Sequence, residues 1–201
     1  MPDRSKLLGK RVAILADDGF EQAELEEPRK ALEAAGAETV VVSPKDDKIR
    51  GWNHTEWGNE VKVDLPLQNA HFEDFDALLL PGGVINADHL RMNKAAVEFV
   101  KDFFTDEKPA AVICHAPWIL VEADVVKGHH LTSWPSLKTD LENAGAHWAD
   151  REVIVDGNLV TSRKPDDIPA FNQQMIAVFA NYIPKDGPRE AIQSRSFSSE
   201  H

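Results

Sequence analysis

A strand-sized apolar run that breaks off at a loop, followed by a helical stripe, recurs along this chain and restricts its fold more than any other feature. The run Lys10–Ala16 leaves through Asp17, Asp18 and Gly19, and so short a β-branched run reads as a buried strand ending in a loop. Leu25, Pro28, Leu32 and Ala35 then share one helical face, with Gly36 where a left-handed C-terminal cap belongs. Pro28 lacks the N–H that the carbonyl of Glu24 would receive, so a kink or a late helix start is expected there. Thr39–Ser43 supplies the next strand and completes a βαβ unit.

The alternation continues to the end of the chain. Ala77–Leu80 is a strand running into Pro81, Gly82 and Gly83, followed by a helix over Asn93–Phe104 with Ala96, Val100 and Phe103 facing inward. Ala110–Ile113 gives another strand, Ala116–Ala123 a helix, Leu131 and Thr132 a short strand, and Ser136–Ala144 a helix closed by Gly145. Asp156-Gly157 between VIV and NLVTS is a two-residue hairpin signal, which implies one antiparallel pair in an otherwise parallel sheet. Phe171, Met175, Val178 and Tyr182 mark a terminal helix. Lys45–Leu65, with Trp52, Trp57 and alternating Val61, Val63 and Leu65, reads as a hairpin projecting from the sheet, either a contact between copies or a self-packed surface element. Residues 1–183 contain no repeat or dividing linker and are read as a single domain; residues 184–201, rich in Pro, Gly, Ser and charge, are read as a disordered tail.

Charge narrows the function. With 22 Lys and Arg against 34 Asp and Glu the net charge is −12, a surface that repels phosphate backbones and anionic lipid, so neither nucleic acid nor membrane is an expected partner. The single cysteine excludes an internal disulfide and a Cys-rich metal site and fits a reducing compartment, the cytoplasm. Met1–Lys10 lacks the apolar stretch of a signal peptide, and no run approaches the ~20 apolar residues of a membrane helix.

In an open α/β sheet, ligands sit beyond the carboxyl ends of the strands, which directs attention to three loops. Glu21 and Glu24 follow the first strand, Gly82 and Gly83 the third, and Cys114 with His115 the fourth. The segment AAVICHAP places Cys114 at a strand-to-helix turn, the geometry of a nucleophile elbow. A helix N-terminus aimed at its sulfur is expected to depress the thiol pKa, against the alternative of a buried and inert cysteine. The backbone N–H groups of Gly83 and His115 are candidate oxyanion donors, with Gly82 beside them. Glu24 is either a solvated helix carboxylate or a protonated acid beside sulfur. Asp88 and His89 read as loop polar groups, and the His129-His130 pair as opposite faces of a strand and so not a metal site. No metal or cofactor is expected.

LLLPGG at Leu78–Gly83, VICHAP at Val112–Pro117, GFEQAEL at Gly19–Leu25 and the later LTSWPSLKTDLENAGA together resemble the ThiJ/PfpI superfamily, in its PfpI-type branch, over about Lys10 to Tyr182. The resemblance implies a flavodoxin-like three-layer α/β sandwich related to class I glutamine amidotransferases, with a mostly parallel sheet and helices on both faces. It implies that Cys114 is the nucleophile, Glu24 the carboxylic acid touching it and His115 the imidazole of a triad. The third member is an acid supplied by a neighbouring subunit from the loop after PGG, and the nearest match is Asp88, one carbon shorter than the family's Glu. Glutamine amidotransfer itself is set aside, because neither His147 nor His201 stands in the His-x-Glu context that chemistry uses. The activity then expected is a cysteine-dependent stress-response hydrolase acting on small dicarbonyls or glycated protein adducts, glyoxalase- or deglycase-like. The alternatives are a PfpI-type intracellular cysteine peptidase, and a non-catalytic redox sensor or chaperone with an oxidisable cysteine. A homo-dimer or larger homo-oligomer is expected in each case.

Overall fold

The computed structural model describes residues 6–185. The tail expected from Pro184 onward lies, beyond Lys185, outside the described residues. In chain order the strands and helices are β1 (Arg11–Leu15), β2 (Phe20–Glu21), α1 (Gln22–Ala34), β3 (Glu38–Ser43), β4 (Lys48–Asn53), β5 (Glu56–Lys62), β6 (Leu65–Pro66), β7 (Ala77–Leu80), α2 (Val84–Met92) and α3 (Lys94–Thr105). They continue as β8 (Ala110–Ile113), α4 (Pro117–Glu122), β9 (His130–Leu131), α5 (Lys138–Asn143), β10 (His147–Trp148), β11 (Val153–Asp156), β12 (Leu159–Ser162) and α6 (Ile168–Asn181).

The main sheet runs β11-β12-β8-β7-β1-β3-β6, and every neighbouring pair is parallel except β11 with β12, the hairpin turned at Asp156-Gly157. Parallel strands covered on both faces need apolar residues at successive positions, which the β-branched runs supply. The alternation of Cβ directions then splits those residues between two cores. Ala13, Leu15, Leu78, Leu80 and Val112 share a core with α2 to α5 through Leu90, Phe99, Val100, Phe103, Leu120 and Leu141. Val12, Ile14, Leu79, Ala111 and Ile113 face α1 and α6 through Leu25, Leu32, Phe171, Met175 and Phe179. This is a flavodoxin-like sandwich.

Four local expectations are corrected or refined. The helix containing Pro28 begins at Gln22, so of the kink or late start expected there the late start does not occur; burial of Leu25, Pro28 and Leu32 against the sheet, and the strand pairing of β2 directly ahead of it, favour the early start. Asp88 and His89 stand in the helix α2 and not in a loop. Its sequence VINADHLRM offers only Ala87 and Leu90 as buried apolar residues, too few for a stripe. The α6 stripe is completed by buried Phe179, at the spacing set by Phe171 and Met175, with Val178 partly buried beside it and Tyr182 just past the helix end. The Ser136–Ala144 helix is a 3-10 turn, Pro135–Leu137, leading into the shorter α5.

The hairpin of β4 and β5 is present and forms a separate three-stranded sheet with β2. Trp52 and Trp57 stand opposite one another across it, ring centroids 5.4 Å apart and edge to face. Leu65 leaves the hairpin and joins the edge of the main sheet. No helix among the described residues is long and apolar enough to cross a membrane.

Candidate active site

Cys114 leaves β8 in the left-handed region, φ 64°. A non-glycine residue takes that conformation only when its surroundings hold it there. Its backbone N–H donates to the Ser162 carbonyl (3.0 Å), and its carbonyl accepts from the Trp134 N–H (2.9 Å). The elbow is therefore fixed on one side by β12 and on the other by the loop before α5, and it turns the sulfur toward the carboxyl ends of β1 and β7.

The His115 ring lies with Nδ1 3.2 Å from Cys114 Sγ. Adjacent side chains on a turn often diverge, and here two indoles keep them together. The imidazole stacks on Trp134 at 5.8 Å and meets the edge of Trp118 at 5.5 Å. Burial pushes the His115 pKa down to about 4, so at neutral pH the ring is uncharged and can accept a proton.

Glu24 projects from the first turn of α1 and is fully buried. Oε2 accepts from the Gly82 N–H at 2.9 Å, and Oε1 has no hydrogen-bond partner among the described residues. Burial, reinforced by the negative charge of Glu21, raises its pKa to about 8. Glu24 is thus an acid at neutral pH, and it sits close enough to the thiol for each to shift the other's ionisation.

The thiol departs from the sequence expectation. Burial pushes the Cys114 pKa up, the charge of ionised Glu24 adds to this, and the backbone N–H groups of Gly83 and His115 only partly oppose them. The following helix α4 is a short one, and its N-terminus does not offset desolvation. Cys114 therefore rests as a thiol with a base beside it.

The two glycines are required by space. A Cβ on Gly82 would lie 2.6 Å from the Cys114 Cβ and 2.8 Å from the Ile113 carbonyl, and would strike Glu24 Oε2. Gly83 has φ 93°, and a Cβ there would strike the Gly19 carbonyl. Gly82→Ala is accordingly expected to destabilise the fold by about 1–3 kcal/mol and to lower activity further than the stability loss alone would, because it separates Glu24 from the sulfur. A variant of unchanged melting temperature and turnover would show that the loop yields freely.

Cys114, His115, Glu24 and Gly83 line a cavity of about 480 Å³, walled also by Glu21, Trp52, His54 and Trp134. Asp88 is not part of that wall and is exposed on α2. Sequence reasoning also missed Asn86. Buried on α2, it donates through Nδ2 to the carbonyls of Pro81 (2.9 Å) and Gly82 (3.0 Å) and accepts from the Asp17 N–H (2.7 Å), locking the glycine loop to the end of β1. An asparagine four residues beyond Gly82 carries no sequence signal of its own. A larger cavity of about 600 Å³ lies at the opposite ends of β8 and β12, near Lys127 and Asn158, away from the thiol.

Comparison with known proteins places the chain among its relatives. The model of the DJ-1/PfpI family matches residues 10–178. General stress protein 18 of Bacillus subtilis (strain 168) is 43% identical over 173 residues, covering 85% of this chain and 98% of that protein. A protein of Pyrococcus abyssi (strain GE5 / Orsay) named as a deglycase is 43% identical over 166 residues, covering 83% of this chain and 97% of that one. The crystal structure of Drosophila melanogaster DJ-1beta superposes with a TM-score of 0.77 at 26% identity, over 86% of this chain and 91% of that chain.

Proposed function

Because the chain belongs to the DJ-1/PfpI family, we propose that it is a cysteine-dependent stress-response hydrolase acting in the cytoplasm on small dicarbonyls or on their adducts with proteins. The observation that carries the reading is the Cys114 thiol 3.2 Å from an uncharged imidazole, beside a carboxyl that keeps its proton to about pH 8. A cavity of about 480 Å³ accepts a small carbonyl compound or one modified side chain.

Cys114 Sγ attacks the aldehyde carbon of a 2-oxoaldehyde as His115 Nδ1 takes the thiol proton. The oxyanion of the resulting thiohemiacetal forms near the N–H groups of Gly83 and His115 and receives a proton from Glu24. Ionised Glu24 then removes the hydrogen from the former aldehyde carbon and returns it to the neighbouring carbonyl carbon, while the hydroxyl proton passes from the former aldehyde oxygen to the neighbouring oxygen. The product is a thioester of the 2-hydroxy acid. Water cleaves it, releasing the acid and restoring the thiol. For an adduct, the amine or thiol that carried the aldehyde is the leaving group.

Assays of purified protein against methylglyoxal, a glycated peptide and casein test the proposal. The expected result is turnover of one of the first two. Turnover should rise through about pH 4 as His115 loses its proton and fall through about pH 8 as Glu24 loses the proton it donates. A profile that keeps climbing above pH 8 would contradict the acid role of Glu24.

Exposed Asp88 on α2 supports a second reading, a PfpI-type peptidase in which this acid reaches His115 of another copy. That reading requires casein cleavage that vanishes with Asp88→Ala and a solution mass above the monomer. The third reading, a redox sensor or chaperone, requires function without turnover and peroxide-dependent modification of Cys114. Homo-oligomerisation is part of the proposal, supported by the exposed Trp57 of the hairpin.

A further inference from the structure

Glu21 is placed by three pieces of backbone. It pairs with Trp52 in the β2–β4 ladder, its N–H donates to the Gly82 carbonyl at 3.1 Å, and the hairpin it meets is tied back to α1. Those ties are the Asn59 N–H to Gln22 Oε1 (2.7 Å) and Asn59 Nδ2 to Glu26 Oε1 (3.1 Å). At the hairpin turn His54 adopts φ 56°, a left-handed conformation that directs its backbone N–H to the Glu21 carboxyl. Both side chains line the cavity that holds Cys114.

The charge of that cavity is one-sided. Among the described residues no Lys or Arg contributes to its wall. Glu24 is held as an acid and His115 as a neutral ring. Burial pushes the Glu21 pKa up, and the neighbouring His54 opposes this through its ring and its backbone N–H. The indoles of Trp52 and Trp134 line the same cavity and add no charge to it.

We propose that Glu21, positioned by His54, is a specificity-determining residue that selects carbonyl compounds by charge, admitting neutral and cationic ones and excluding anionic ones such as 2-oxo acids. This rests on the carbonyl reading above for its substrate class, while the charge selection itself is a property of the cavity.

Cys114 is the sole thiol of the chain, so labelling rates report the cavity without any need for turnover. Three methanethiosulfonates of similar size serve as probes, carrying a trimethylammonium, a methyl and a sulfonate group. At about pH 7.5, with rates corrected for reaction with a free thiol, the cationic probe is expected to label about tenfold or more faster than the anionic one. Glu21→Gln should shrink that ratio at least about threefold, and Glu21→Asp should keep it. Glu98→Gln, which removes an exposed carboxylate on α3, should leave the ratio unchanged and so controls for the net charge of −12. An unaltered ratio in Glu21→Gln, or an equal loss in Glu98→Gln, would overturn the proposal. Methylglyoxal should be turned over in preference to glyoxylate by wild type and less selectively by Glu21→Gln. If no carbonyl compound is turned over while labelling still follows Glu21, the carbonyl reading fails and the charge selection stands.

Discussion

Cys114→Ala is expected to lower turnover by at least about 10³-fold while leaving the fold intact. Removing a nucleophile leaves only binding and oxyanion stabilisation, and that residue of catalysis is small. No second thiol exists to take over. The His115 base without its sulfur faces only water, a far weaker nucleophile at the same carbon. Substrate affinity should change little, since the walls of Trp52, His54 and Trp134 remain. The melting temperature should change little too. The left-handed backbone strain at position 114 is present in wild type and is the same for alanine, and the lost sulfur sits where the core meets the cavity, so part of the space it leaves opens into that cavity. Cys114→Ser adds a second measurement. It preserves a hydrogen-bonding partner for His115 but presents a hydroxyl that ionises far less readily, so a similar loss is expected. Retained turnover in Cys114→Ala would place the chemistry elsewhere and remove the hydrolase reading. Absent turnover in wild type, with Cys114 gaining about two oxygens under mild peroxide, would favour the redox reading instead.

The strand runs were legible because burial on both faces demands consecutive β-branched or apolar residues, and Lys10–Ala16, Thr39–Ser43, Ala77–Leu80 and Ala110–Ile113 mark β1, β3, β7 and β8 to within a residue at most ends. Helix α3 was legible for a related reason: Ala96, Val100 and Phe103 keep the helical period, and Asn93 caps its start by accepting from the Ala96 N–H. Helix α2 was not. Its one buried polar residue, Asn86, is there to tie loops together, and such a role leaves no periodic trace. The site was legible where chemistry is tied to a turn, as at Cys114, His115 and the Gly82-Gly83 pair. It was illegible where the wall is delivered from a distance: Trp52 and His54 reach the cavity on a hairpin whose sequence signals only alternation, and Trp134 arrives from the loop before α5. The sign of the Cys114 shift was misjudged because desolvation depends on how completely the elbow is covered. A local pattern of residues does not report that coverage.

Glu24→Gln is expected to give the other large effect, and in opposite directions for activity and stability. In the folded protein the Glu24 pKa is about 8, against an ordinary value of 4.5, so the native state holds this proton more tightly than the unfolded chain. The stability this provides is complete below about pH 4.5 and is lost as pH rises toward 8. From linkage the loss over that window is on the order of 5 kcal/mol. Glutamine is uncharged throughout, so the variant should lack that slope. The two proteins should melt alike near pH 4.5, and the variant should melt progressively higher than wild type as pH approaches 8, by roughly 10 °C. Its carbonyl oxygen can still accept from the Gly82 N–H, which keeps the loop in place. Its amide can donate a hydrogen bond to the oxyanion but cannot give up a proton, so turnover should fall by about 10²–10⁴-fold. The thiol should also ionise more readily, because the charge that opposes it above pH 8 is gone. Parallel melting curves across pH would show that Glu24 does not hold its proton, and unchanged turnover would show that it transfers none. A more stable, less active protein with a more easily formed thiolate is the combination that only a buried proton-transferring acid produces.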